Sequence, residues 1–291
     1  MRETWSRFRL EWRYQVFLIP ALSGLLLFFV WPVLSSVYYS MTNWTGLNPQ
    51  FQFVGIKNYI SLFKDKVMVD AVKHTLLYAF LMTLLQNLLA VPLAVALDSK
   101  LRTKQFLRLV FFAPAVLSPL IVGFLWSYMM SPQTGLFWNM GLQINFLGNP
   151  QIVMYSLVFV SVWQFTGWAA VIYLANLQGI SQDYYEAANM DGAGRWKQFI
   201  HVTFPLLAPA LTINVVNSMV GSLKVFDIVM SMTQGGPGSS SETITTILIK
   251  RAFSEYRYGY GSAIAVMFLA ITAAISFVLL KYLQHREERL G

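Results

Sequence analysis

The sequence predicts an all-α polytopic membrane protein with six transmembrane helices. Of its 291 residues, 56% are hydrophobic and only 12% are charged, about half the roughly 25% of a soluble domain. Mean hydropathy is +0.53. The charges are also bunched, with none between Arg13 and Lys57 and none between Arg108 and Asp183. Such stretches exceed the roughly 20 apolar residues that cover about 30 Å of hydrocarbon at 1.5 Å per residue.

The first expected span is 16–39. Its apolar run exceeds the roughly 7–15 residues of a signal-peptide core and no A-x-A site follows, so it reads as an uncleaved span. The second, 74–97, is closed by Asp98. The long uncharged stretch after Arg108 is interrupted by turn chemistry at Ser131–Gly135 (SPQTG) and Leu147–Pro150 (LGNP). That division gives a third span at 109–130 and a fourth at 152–177. The fifth, 205–232, follows Pro205, and the sixth is 261–283. Residues 1–291 read as one transmembrane domain, without a low-complexity tract or internal repeat.

The positive-inside rule orients the spans. Arg2, Arg7, Arg9 and Arg13 precede the first; Lys100, Arg102, Lys104 and Arg108 join the second to the third; Lys281, Arg286 and Arg289 end the chain. Both termini are therefore expected in the cytoplasm, although Lys57, Lys64, Lys66 and Lys73 add basic charge to an opposite loop. The net charge of +8 is explained by these flanks rather than by nucleic acid. With no cysteine and with His74, His201 and His285 far apart, disulfides, thiol catalysis, cysteine metal sites and a local histidine cluster are excluded.

One stretch does not suit a membrane: YYEAANMDGAGRWKQFIHVTFPLLAP, Tyr184–Pro209. From Gln182 it is rich in helix formers and reaches a good helix stop at Gly192. Gly194 permits a sharp turn before a second helical stretch from Arg195 to Val202, and Pro205 and Pro209 restart the chain as the fifth span. The expectation is a projecting cytoplasmic knob at 178–204, with Ala187 and Ala188 offering a smooth face. A surface loop without a partner is the plainer alternative.

The knob carries Glu186-Ala187-Ala188, three residues, Gly192, nine residues, then Val202-Thr203-Phe204-Pro205. This resembles the Glu-Ala-Ala … Gly … Ile-x-Leu-Pro signature of permease subunits of binding-protein-dependent ABC importers, with Val202 and Phe204 as conservative departures. FVGIKNYISLF (Phe53–Phe63) and KVFDIVMSMTQGGPGSSSET (Lys224–Thr243) look like loops of the carbohydrate branch. Gly235-Gly236-Pro237-Gly238 is similar to that of the maltose-type first subunit. The resemblance covers nearly the whole chain and implies the type I ABC importer permease fold. It further implies a heterodimer with a second permease, two cytoplasmic ATPase subunits and an extracytoplasmic solute-binding protein. The knob is then the coupling helix, with Glu186, Ala187, Ala188, Asp191, Gly192 and Gly194 on the ATPase.

No G-x-x-x-x-G-K-[ST] motif is present, so ATP and Mg²⁺ belong to another chain and this one carries no cofactor. Shifting a gate from 1:99 to 99:1 takes about 5.5 kcal/mol of differential interaction, which the knob would have to transmit. A solute path needs polar groups that lipid would not tolerate. Asn214, Asn217, Ser218, Gly221 and Ser222 share one face of the fifth span, and Ser161, Gln164 and Trp168 one face of the fourth. Amides and hydroxyls pair with sugar hydroxyls and an indole stacks on a sugar ring, but the same residues serve equally for helix packing. Lys224 and Asp227 are expected near the outer boundary, paired at i, i+3. Pro92, Pro114, Pro119 and Pro205 are candidate kinks, and Trp5, Trp12, Trp31, Tyr38 and Trp44 candidate interface anchors.

The rival is a stand-alone secondary carrier or channel for a small polar solute. An ion-coupled carrier needs ionisable groups inside its spans, of which this chain has almost none. A channel would leave the knob without a purpose. A protease lacks its motif, since there is no H-E-x-x-H.

Overall fold

A computed structural model describes residues 17–99 and 102–288, and these residues are helical apart from turns and one isolated antiparallel bridge, Thr42 to Phe53. Val16, Trp5, Trp12, Arg2, Arg7, Arg9, Arg13, Lys100 and Arg289 lie outside the described residues. Among the described residues four helices are long and apolar enough to cross a membrane, and there are up to six crossings if each of two bent pairs is one span.

The chain divides into two compact units. The first joins the described part of residues 1–62 to 248–268. Its helix α1, Leu18–Ser40, contains a π-helical turn at Leu26–Val30 just before Pro32. Proline has no N–H and its ring displaces the carbonyl four residues back, so the ladder widens there. The loop that follows is fixed by aromatic rings. Trp44 stacks on Tyr39 at 4.4 Å and lies beside Phe51 and Tyr258, and its indole N–H donates to the Asn48 carbonyl at 3.1 Å. Trp44, expected as an interface anchor, is a packing residue of this loop, whereas Trp31 and Tyr38 are exposed on the chain. Helix α2, Lys57–Lys64, is held to the loop by Asn58, which donates to the carbonyls of Ser40 and Thr42 at 2.8 Å each.

The second unit spans 63–247 and 269–291. It is built round α3, Lys66–Asp98, whose N-terminus is capped by the Asp65 carboxylate accepting from Val67 and Met68. At 33 residues α3 is about 50 Å long, so it starts well before the expected span at 74–97, and it continues through Pro92. It packs along α6, Val153–Leu177, and α9, Ala208–Leu223. Two apolar clusters form the contact: Tyr78, Met82, Trp126, Leu157 and Val229 in one, and Ala90, Ala94, Ala169, Ala170, Tyr173 and Leu207 in the other. The alanines allow backbones to approach, as small residues do between membrane helices.

The expected third span, 109–130, is not one straight helix. It comprises α4, Lys104–Val116, and α5, Pro119–Met129, bent by 97°. The physical reason lies in Ser118, which precedes a proline and is driven from the helical region; Leu117 and Ser118 have ψ of 143° and 131°. The fifth span, 205–232, is likewise segmented. Helix α8, Arg195–Leu206, meets α9 at 65°, and its π-helical turn Phe199–Thr203 again precedes a proline, Pro205. The helix stops at Lys224, and α10, Asp227–Met232, begins afresh. No ion pair joins Lys224 to Asp227, because non-helical Phe226, with φ −139° and ψ −58°, separates them. Helix α11, Ile244–Ile249, and α12, Tyr258–Glu288, complete the chain.

Helices α4 and α6 touch backbone to backbone. A Cβ on Gly167 would overlap the Phe111 carbonyl oxygen. Gly167→Ala is therefore expected to destabilise the fold by about 1–3 kcal/mol through overpacking. Thermal unfolding of the detergent-purified protein checks this, and a melting temperature equal to the wild type would contradict the close contact.

Candidate functional site

Helices α3, α6 and α9, with Pro119 of α5 and Asp227 and Ile228 of α10, line a half-open cavity of about 290 Å³. Ser161, Trp168, Asn214, Asn217, Ser218, Gly221 and Ser222, drawn by the sequence from two separate helices, line it together. Gln164 does not. It is fully buried, and its Nε2 donates to the Leu117 carbonyl at 2.9 Å. That carbonyl ends α4 at the break, so Gln164 satisfies an orphan group of a helix terminus.

Helix α3 contributes residues that the sequence analysis passed over, Tyr78, Met82 and Gln86. Their i, i+4, i+8 spacing within an apolar run was the available signal. The Tyr78 hydroxyl donates to Ser161 Oγ at 2.6 Å, and Gln86 Nε2 donates to the Phe165 carbonyl at 2.9 Å. Behind the wall, the Tyr173 hydroxyl donates to Asn87 Oδ1 at 2.6 Å, and Asn87 Nδ2 donates to Ser218 Oγ at 3.1 Å. Asn214 Nδ2 donates to the Ala169 carbonyl at 3.2 Å. These bonds hold three helices in register, and the Asn217 amide and Trp168 indole N–H have no hydrogen-bond partner among the described residues. Lys224 and Asp227 lie at the same cavity, which therefore offers amides, hydroxyls, an indole face and one charge of each sign.

The expected knob has a defined geometry. Helix α7, Gln182–Met190, starts at Ser181, whose Oγ accepts from the Asp183 N–H at 3.3 Å, and none of its residues is buried. It ends at Asp191, and Gly192 takes the left-handed conformation, φ +72°, that favours glycine. The Ala193 N–H returns to the Ala188 carbonyl at 2.9 Å. Gly194, expected to make the sharp turn, has an ordinary φ of −69° and precedes α8; the turn is made by Gly192. Gln198 Nε2 ties α8 to α7 by donating to Asn189 Oδ1 at 2.6 Å and the Ala193 carbonyl at 2.8 Å. Glu186, Ala187, Asp191, Gly192 and Gly194 are exposed and Ala188 is half-buried. Met190, Trp196 and Tyr184 present 89%, 71% and 56% of their surfaces, a large apolar display for a charged, projecting element.

The match that decides the family covers residues 71–289, the binding-protein-dependent transport system inner membrane component. The chain belongs to this family. It is the permease subunit of an ABC importer, a multi-pass transport component that is not itself catalytic. The permease is 37% identical to a probable ABC transporter permease protein, YurN, of Bacillus subtilis, over 94% of this chain and 96% of that one. It is 33% identical to the probable starch degradation products transport system permease protein AmyD of Thermoanaerobacterium thermosulfurigenes, over 94% of each. A bacterial alginate ABC transporter, solved in complex with an alginate pentasaccharide-bound periplasmic protein, has the same fold. One of its chains matches with a TM-score of 0.82 at 22% identity, over 98% of this chain and 97% of that one.

The hydrogen bonds behind the cavity make a prediction about stability in the permease. Asn87→Leu would leave the Tyr173 hydroxyl, on a side chain that is fully buried, without its acceptor, at a cost of about 1–3 kcal/mol. Asn217→Ala removes no intramolecular bond and should stay within about 0.5 kcal/mol of the wild type. Unfolding of both variants in one detergent tests the contrast; equal losses would contradict it.

Proposed function

We propose that the permease pairs with a second, different permease on two cytoplasmic ATPase subunits, and that this assembly imports a sugar or oligosaccharide handed over by an extracytoplasmic solute-binding protein. The cavity is the observation that carries this reading. Its 290 Å³ stands at the lower limit of ligand sites, about 300–1,000 Å³, which suits a half-path completed by another subunit. Its lining of amide, hydroxyl and indole groups suits a ligand with many hydroxyls and a flat apolar face. Relatives named for starch degradation products support the same class.

In this reading residues 1–291 form one permease domain in a bacterial or archaeal cell membrane, with both termini in the cytoplasm. Glu186, Ala187, Ala188, Asp191, Gly192 and Gly194 seat the knob on an ATPase, where ATP and Mg²⁺ are held. Nucleic acid has no part in the cycle. Unburied α7, with Met190 displayed at its end and Trp196 on α8, suits a ball-and-socket contact.

The test is purification of the tagged permease from its native membrane with its companions, followed by reconstitution into vesicles supplied with labelled sugars. The expected result is ATP-dependent uptake by an assembly containing an ATPase, a second permease and a solute-binding protein. Gly192→Val, which forces a β-branched residue into the left-handed region at about 1–2 kcal/mol, should cut uptake about tenfold or more. Asn217→Ala should raise the sugar concentration for half-maximal uptake while leaving basal ATP hydrolysis unchanged. Recovery of the chain alone, or ATP-independent uptake, would overturn the proposal.

A further inference from the structure

The last helix ends against the base of the knob. Within the second unit, the Glu287 carboxylate accepts from the Thr212 hydroxyl at 3.1 Å. The Arg286 guanidinium lies 5.8 Å from the centre of the Phe204 ring, within the range of a cation–π contact. Phe204 continues a chain of rings, tilted against Phe199 at 6.2 Å, which is stacked on Trp196 at 5.7 Å. Trp196 is the more exposed of the knob's aromatics Tyr184 and Trp196. Thr212 and Leu283 are buried beneath these contacts.

The position of Thr212 gives the contact its significance. Its hydroxyl also lies 3.1 Å from the Ala208 carbonyl, four residues back. A hydroxyl has one proton to give, and the carboxylate is the stronger acceptor. Glu287 therefore competes with α9's own backbone for that proton. Thr212 sits two residues before Asn214, where the polar face of α9 begins, and just beyond the 65° bend between α8 and α9. A displacement of the knob reaches the polar face of α9 through this bend, where the Leu207 and Leu211 N–H groups donate to the Thr203 and Leu207 carbonyls, and a further tie from α12 stiffens it against flexing.

We infer that Glu287 and Arg286 latch the cytoplasmic end of α12 to the α8–α9 elbow, so that knob, α9 and α12 move as one body when the ATPase subunits act. Glu287, Arg286, Thr212 and Phe204 are positioning residues: they touch no solute, and they set how much of the knob's displacement reaches the cavity. The inference rests on the importer reading above and adds the mechanical route.

The reconstituted complex tests it by its coupling ratio, solute imported per ATP hydrolysed. Thr212→Val and Glu287→Leu should each lower the ratio about tenfold or more, the size of one hydrogen bond to a charged group. Thr212→Ser should keep it, and assembly and basal ATP hydrolysis should not change. The chain has no native cysteine, so the pair Thr212→Cys with Glu287→Cys can be joined by a short bifunctional thiol reagent. The unlinked pair should be poorly coupled, and linking should restore the ratio toward the wild type. The latch is overturned if linking blocks import, since the helices would then have to separate during the cycle. It is equally overturned if no link forms, or if Thr212→Val and Glu287→Leu couple as well as the wild type. Failure of the importer reading would appear separately, as uptake by the unsubstituted complex that persists without ATP, and would remove both inferences.

Discussion

The structure depends on a constraint of its solvent. Inside hydrocarbon no water satisfies a backbone carbonyl or amide, so each interruption of a helix must be closed by the protein itself. The third span is interrupted at Leu117–Ser118, and the fully buried Gln164 on α6 reaches that carbonyl at 2.9 Å. This bond joins the broken span to the central helix, and the Gly167–Phe111 contact beside it allows the backbones to meet. Once α4 and α6 are locked, α3 can pack along the remaining face of α6, and the cavity has two of its walls.

The same constraint separates structural polar groups from functional ones. In the wall, Tyr78 is matched with Ser161, Tyr173 with Asn87, and Asn214 with the Ala169 carbonyl. Each bond neutralises a group that would otherwise be costly in this setting. What remains unmatched and accessible is the set a ligand could use, Asn217 and the Trp168 indole foremost. The cavity is thus a rigid polar frame with a few uncommitted donors, the combination expected of a site that must hold a hydroxylated solute and then release it.

The apolar helices and the two helices of the knob were legible in the sequence because their signals are local: charge-free lengths and the helix stop at Gly192. The polar faces of α6 and α9 were legible as helical periodicity, and most of those residues do meet in one cavity. Gln164 shares its face with Ser161 by spacing alone, and only the broken neighbouring helix explains why it turns away. That break was itself half visible, since Ser118 precedes Pro119, but its 97° angle depends on packing. Tyr78 and Gln86 were missed because α3 is apolar almost throughout, so two polar positions read as incidental. The Lys224–Asp227 pairing failed because it assumed a continuous helix where the chain leaves one at Lys224.

A cavity that is the solute path opens to one side of the membrane and then to the other. The most direct measurement places one cysteine at Asn217 in the naturally cysteine-free chain and follows its labelling by a membrane-impermeant thiol reagent. Reagent would be applied from each side in turn, with the assembled complex resting or trapped by a nucleotide analogue. Labelling is expected from one side at rest and from the opposite side when trapped. Labelling from the same side in both states, or from neither, would contradict it.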